Sequence, residues 1–196
     1  MEMNKDWLVL VQKFDEASAR TKFENICEGL FRKLNPKKTV RTVRVNQGEG
    51  GIDIFIGEIG IEPIDVIQCK FFVSGIGDSQ KNQIRESFKT AMFSQEYEVK
   101  SWTLCIINTL DLQQNKWWTS WKNKNEETYQ LSNDFISLKE GNELIDLLKE
   151  YNLYNQSFEL EDSIKIKEIH EVLVKGDSQI DIESILKRHS PTKCVS

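Results

Sequence analysis

The sequence predicts an α/β fold: a mixed central sheet flanked by helices, followed by a helical C-terminal extension. Three observations carry this expectation. Phe23, Ile26, Cys27, Leu30, Phe31 and Leu34 recur at the i, i+3, i+4 spacing of one buried helical stripe. Three β-rich runs follow that stripe with no helical pattern between them. A second helical pattern then leads to Val99–Leu110, whose near-continuous apolar run reads as a strand buried on both faces and therefore central in the sheet.

Taken in order, the first helix spans about Asp15 to Leu34 and is stopped by Asn35-Pro36. Thr39 to Val45 alternates as a half-exposed strand with a basic outer face. Ile52 to Gly57 places Ile52, Ile54 and Ile56 on one face, and Asp53 with Phe55 on the other. Ile64 to Val73 places Val66, Gln68, Lys70 and Phe72 on one face, and Asp65, Ile67, Cys69 and Phe71 opposite. The turn residues from Gly57 to Pro63 join these two runs as an antiparallel hairpin. A second helix, capped by Asp78 or Ser79, runs to about Gln95 with Ile84, Phe88, Ala91 and Met92 inward. After Val99–Leu110, the stretch Trp117 to Trp121 reads as a short helix with Trp117 and Trp121 on one face. A short strand at Phe135 to Leu138 follows, then a helix from Gly141 to Tyr151 with Leu144, Ile145, Leu147 and Leu148 inward. Helical patterns at Ile164–Val174 and Ile182–Lys187 flank Gly176-Asp177-Ser178. The expected organisation is a domain over 1–155 and a helical interaction segment over 156–196.

With 196 residues, 39% hydrophobic, 10% aromatic and 29% charged, the composition is that of an ordinary globular chain. A net charge of -5 does not advertise a nucleic-acid binder. Locally, however, Arg32, Lys33, Lys37, Lys38, Arg41 and Arg44 form a stretch with no acid between them. A phosphate backbone responds to such a strip, so Lys37, Lys38, Arg41 and Arg44 are candidate nucleic-acid contacts as well as candidates for a solvated face. The opening Met1–Asp6 lacks a signal-peptide pattern, and no apolar run approaches the ~20 residues of a membrane helix. The four cysteines are scattered without a C-x-x-C pair and read as reduced thiols. A cytoplasmic protein with no membrane association is expected. Neither a P-loop nor a G-x-S-x-G elbow occurs, and His170 and His189 lack partners at zinc spacing.

The chemistry-bearing stretch is Gln47–Phe72. Gly48, Gly50 and Gly51 mark a sharp bend before the run that holds Asp53, and Gln68 and Lys70 sit inside the next run. Charges in apolar strands are costly unless paired or used. Asp53 opposite Gln68 on a hairpin could share one ligand, and the backbone carbonyl of Cys69 adds a third oxygen. Such a set suits Mg2+ (or Mn2+), with Lys70 beside it to hold a water or a phosphate oxygen. Glu24 lies on the shoulder of the first helix's apolar stripe and could look into the same groove. The plain alternatives are a solvated Glu24, a turn-proximal Asp53 and a snorkelling Lys70. Asp65 faces the other way. Gln80 and Gln83 read as surface polarity, and the tryptophans as core or interface rather than base-stacking platforms.

In these residues, Gly51-Ile52-Asp53 on one strand and Gln68-Cys69-Lys70 on the next, within the order α-β-β-β-α-β, the chain resembles the PD-(D/E)XK nuclease superfamily. It is most similar to the branch of Mrr-type restriction enzymes and bacterial anti-phage nucleases. The resemblance covers about Asp15 to Leu110 and implies a restriction-endonuclease-like core. It further implies that Asp53 and Gln68 bind the metal, Lys70 assists the attacking water and Glu24 completes the site. The implied activity is a magnesium-dependent endonuclease on double-stranded DNA in anti-phage defence. The implied partners are a second copy of the chain or a larger ATPase or sensor subunit. Gln68 removes one negative charge from the pattern, which keeps open a second expectation: a catalytically inactive, nuclease-like binding or assembly subunit.

Overall fold

A computed structural model describes residues 5–43 and 52–158, which divide between two units, 1–151 and 152–196. The first unit begins with α1 (Lys5–Lys13) and α2 (Glu16–Leu34), followed by β1 (Val40–Thr42), β2 (Ile54–Ile56) and β3 (Ile64–Lys70). Next come α3 (Asp78–Met92), β4 (Val99–Ile106), α4 (Leu112–Thr128), β5 (Ile136–Lys139) and α5 (Gly141–Glu150). The described part of the second unit is α6 (Tyr154–Phe158), where the Tyr154 and Phe158 rings lie 5.1 Å apart.

The five strands form one mixed, open sheet in the order β1-β2-β3-β4-β5. The first three are an antiparallel meander, whereas β3, β4 and β5 run parallel. Parallel neighbours require crossover connections, and α3 and α4 supply them. The β2–β3 hairpin turns through Gly57 and Gly60, which hold φ of 120° and 82°, a region that L side chains rarely enter. The middle strand is β3; β4 is interior beside it rather than central. That order brings the C-terminal end of β3 between two helical layers.

On one face lies α2. Asp15 caps it by accepting from the Ser18 N–H at 2.9 Å, and its stripe buries Phe23, Ile26, Cys27, Leu30 and Phe31. Phe23 meets Phe71 at 5.8 Å. On the opposite face, Ile84 and Phe88 of α3 pack with Trp118 and Trp121 of α4 against Val66, Trp102, Leu104 and Ile106. Phe88 sits edge-on to Trp102 at 5.3 Å and to Trp121 at 5.4 Å, favourable geometry for aromatic quadrupoles. Trp117 stacks on Trp121 at 6.0 Å, one helical turn away. The period-two pattern of β3 therefore holds, with Val66 and Phe72 toward α3 and Phe71 toward α2.

Several elements differ from the sequence reading. The helix α1 is additional: Trp7-Leu8-Val9-Leu10-Val11 is uniformly apolar, so helical spacing is hidden until burial selects Trp7 and Leu10. Asp78 is not the cap of α3, because Gly77 occupies that position and Gln80 Oε1 accepts its N–H at 3.1 Å. The helix stops at Met92, short of Gln95. α4 has 17 residues rather than one turn around the tryptophans, with a reciprocal Asp111–Gln114 capping box that opens a largely polar surface. Along β2 the alternation fails: Ile52 and Phe55 share one buried cluster, and the chain bends at Asp53 between them. Among the described residues no helix is long and apolar enough to cross a membrane. Residues 44–51 and 159–196, including the glycine cluster and the tail helices expected from the sequence, lie outside the described residues.

At the start of α5, Gly141 lies so close to the β4–α4 loop that an added Cβ would fall 2.1 Å from the Ile107 carbonyl oxygen. Its own carbonyl accepts the Trp7 indole N–H at 3.0 Å, tying α1 to α5. Gly141→Ala should therefore cost about 1–3 kcal/mol, as overpacking does. The measurement is a thermal melt, and a variant that melts at the wild-type temperature would refute this packing.

Candidate active site

Asp53 stands where β2 separates from β3. Its backbone closes both sides of the meander, with its N–H donating to the Ile67 carbonyl at 3.3 Å and its carbonyl accepting from the Val43 N–H at 3.1 Å. Among the described residues, the β2–β3 backbone ladder ends at this point. The Cys69 N–H instead donates to Asp53 Oδ2 at 2.6 Å, and the Gln68 side-chain amide donates to the same oxygen. The bend at Asp53 thus replaces one ladder bond with a carboxylate. In a strand the N–H and C=O of one residue leave by the same edge, so the Cys69 carbonyl also opens toward Asp53.

A cavity of about 390 Å3 opens here, lined by Arg20, Glu24, Asp53, Gln68, Lys70 and Gln83 among others. The four residues read as a site from the sequence, from α2, the start of β2 and the end of β3, therefore meet around one space. Burial pushes the Asp53 carboxyl above its ordinary value, against the pull of the Cys69 N–H and the Lys70 charge. Glu24 is raised to about 7, first by burial and then by the charge of Asp53, with Arg20 and Lys70 pulling the other way. Burial also lowers Lys70, opposed by Asp53. Two carboxyls and an amine whose charged forms are all disfavoured by burial, gathered in one cleft, mark a candidate functional site. The Cys69 thiol does not join them; it is buried, and the neighbouring buried thiols Cys105 and Cys27, together with burial, push it well above its ordinary value.

The donor chemistry fits a hard divalent cation. Asp53, Glu24, the Gln68 amide and the Cys69 carbonyl offer only oxygen. Gln68 Oε1 is buried without a hydrogen-bond partner among the described residues, a costly state that a cation would relieve. Among the described residues no three His, Cys, Asp or Glu side chains converge closely enough to hold a metal. A cation here would therefore depend on the amide and backbone oxygens.

The basic strip lies elsewhere. Lys38 pairs with Asp65 at 3.2 Å, and Arg41 with Glu58 at 3.8 Å. Asp65, which also accepts from Ser101 at 2.8 Å, is five residues before Lys70 on β3, ~16 Å along the strand. Lys37 is exposed, and Arg44 lies outside the described residues. None of Lys37, Lys38 and Arg41 lines the cavity. Gln80 and Gln83, read from the sequence as surface polarity, do line it. Arg20 and Glu16 are further members, ion-paired at 3.7 Å. Their signal was present: Glu16, Arg20 and Glu24 recur every fourth residue, one ridge of a helix. No family model, curated protein or solved structure matches this chain.

Glu24 gives the site a pH signature. Its folded value of about 7 exceeds the ordinary 4.5, so folding favours the protonated carboxyl. That contribution is complete below about 4.5 and is lost as pH rises through 7. Because Glu24 is half-solvated, its effect is put at ~1 kcal/mol or ~2–4 °C in melting temperature. In the absence of divalent cations, Glu24→Gln should melt higher than wild type at pH 8, and the two should converge at pH 4. Equal melting temperatures at pH 8 would contradict the burial of Glu24's charge.

Proposed function

We propose that this chain is a metal-dependent nuclease of the PD-(D/E)XK type that hydrolyses phosphodiester bonds in double-stranded DNA. The observation that carries the reading is the convergence of Glu24, Asp53, Gln68 and Lys70 on one cavity from three separate elements. The order helix, three antiparallel strands, helix, parallel strand supports a restriction-endonuclease-like core within the α/β fold.

Asp53, Glu24, Gln68 and the Cys69 carbonyl would hold Mg2+ or Mn2+, which when bound acidifies a coordinated water and offsets phosphate charge. The residues themselves do the rest. Burial eases proton loss from Lys70, so its amine takes up the proton of a water held beside Asp53. Arg20, exposed at the cavity wall and only loosely held by Glu16, meets the non-bridging oxygens of the scissile phosphate. Gln80 and Gln83 of α3 form the facing polar wall against which the strand is positioned. By resemblance, the setting is anti-phage defence in the cytoplasm. Recruitment would come through a second copy of the chain or an ATPase or sensor subunit docked on the segment beyond Glu159.

One observation favours a second reading, a catalytically inactive nuclease-like subunit. The Gln68 amide turns its N–H group to Asp53, so one carboxylate oxygen, Oδ2, already accepts from two protein donors.

Plasmid nicking in Mg2+ or Mn2+ separates the two. Wild type should nick, and Asp53→Ala and Lys70→Ala should each fall by about 100-fold or more. Equal nicking by all three chains, or none in any condition, removes the nuclease reading. A chain shortened to residue 158 that stays monomeric and fully active removes the docking role of the tail.

A further inference from the structure

Helix α3 has two functional flanks. Gln80 and Gln83 line the cavity, whereas Lys81 and Arg85 turn toward α4. There Lys81 Nζ lies 5.5 Å and the Arg85 guanidinium 5.6 Å from the centre of the Trp117 ring. Both distances are within the range of a cation–π contact. Trp117 is itself fixed, because it stacks on the buried Trp121 with planes 18° apart. Two cations one turn apart, ~6 Å along the helix, are thus seated on a rigid aromatic pedestal.

Their charge is poorly compensated. Lys81 is 22% exposed, and the carboxylate it meets at 3.4 Å, Asp78, is 97% exposed. Such a surface pair is weak and readily exchanged. Arg85 bonds the Asn82 amide oxygen at 2.5 Å and has no carboxylate partner among the described residues. Lys89, the next residue along the stripe, differs in pairing with Glu86 at 3.3 Å. A helix with its side chains is ~10–12 Å across, close to the ~12 Å width of the B-DNA major groove. A single nucleotide in the cavity could not reach the far flank of α3, but a duplex presents phosphates at both places.

We infer that Lys81 and Arg85, mounted on Trp117, are a second phosphate-binding site that grips a duplex backbone about one groove width from the cavity. The inference rests on the nuclease reading for its ligand class and makes the substrate a long duplex rather than a small phosphodiester. Preorganisation explains the aromatic mount: long basic side chains lose rotamer freedom when they bind, and the ring has already removed part of it.

The test is binding of a labelled DNA duplex three helical turns long to the full chain in EDTA, where no cleavage occurs, from about 50 to 200 mM salt. Releasing two phosphate contacts should flatten the slope of log affinity against log salt by about 1.8 in Lys81→Gln/Arg85→Gln. The charge-preserving Lys81→Arg/Arg85→Lys double should keep the wild-type slope. So should Lys100→Gln/Lys149→Gln, which removes the same charge from exposed positions away from the cavity and from the basic strip. An unchanged slope in the Gln double, an equal flattening in the Lys100/Lys149 control, or no duplex binding by wild type overturns the site. A chain that cleaves duplex with an unchanged slope defeats this inference alone. One that binds with the expected slopes but never cleaves defeats only the nuclease reading.

Discussion

One substitution within a hydrogen-bond ladder organises this molecule: the carboxylate of Asp53 takes the place of a strand carbonyl as acceptor for the Cys69 N–H. A buried backbone donor must be satisfied, and here a side-chain carboxyl oxygen satisfies it. The consequence is geometric. The carboxylate is pinned at the point where β2 leaves β3, so Gln68 and Lys70, flanking Cys69, face the same opening. The α2 layer then contributes Glu24 and Arg20 from one ridge, and α3 contributes Gln80 and Gln83 from the facing side.

That arrangement is costly for the fold. Asp53 and Glu24 both have carboxyls pushed up by burial and, for Glu24, by their mutual repulsion. Gln68 keeps one amide oxygen buried without a partner among the described residues. Polar groups left in this condition destabilise a core. The surrounding structure offsets them with the aromatic packing of Phe88, Trp102 and Trp121 beneath α3 and α4, and with Phe23 against Phe71 beneath α2. Among the described residues, unpartnered buried polar atoms also occur away from the cavity, at Trp102 Nε1, Asn108 Oδ1 and Trp117 Nε1. What sets the cavity apart is that its perturbed groups are ionisable and lie together.

Much of this was legible in the sequence where periodicity was clean. The stripe of α2 and the alternation of β3 are strong patterns, and they were enough to keep Gln68 and Lys70 together and to set Asp65 apart. The hairpin followed from Gly57 and Gly60. What stayed hidden has physical causes. Along β2, Asp53 bends the chain, so alternation misplaces Ile52 relative to Phe55. In α4 the buried residues Gln114, Trp118, Trp121 and Glu126 include two polar ones, so no apolar stripe announces 17 helical residues. Glu126 is buried because its carboxylate accepts the Ile136 N–H at the start of β5, at 3.1 Å, a tertiary fact that no local pattern records. The basic strip is a further case. Lys38 and Arg41 are adjacent in sequence to the site strands but are drawn into pairs with Asp65 and Glu58.

The oxygen cluster around Asp53 is either a cation site or a self-satisfied polar knot, and the two differ in one measurable property. Calorimetric titration of Mn2+ into metal-free protein reads it without any substrate. A single site per chain, abolished in Asp53→Asn and retained in Lys33→Gln, is the result expected if the cavity is built for metal-assisted hydrolysis. No binding by wild type, or binding that survives Asp53→Asn, would contradict it.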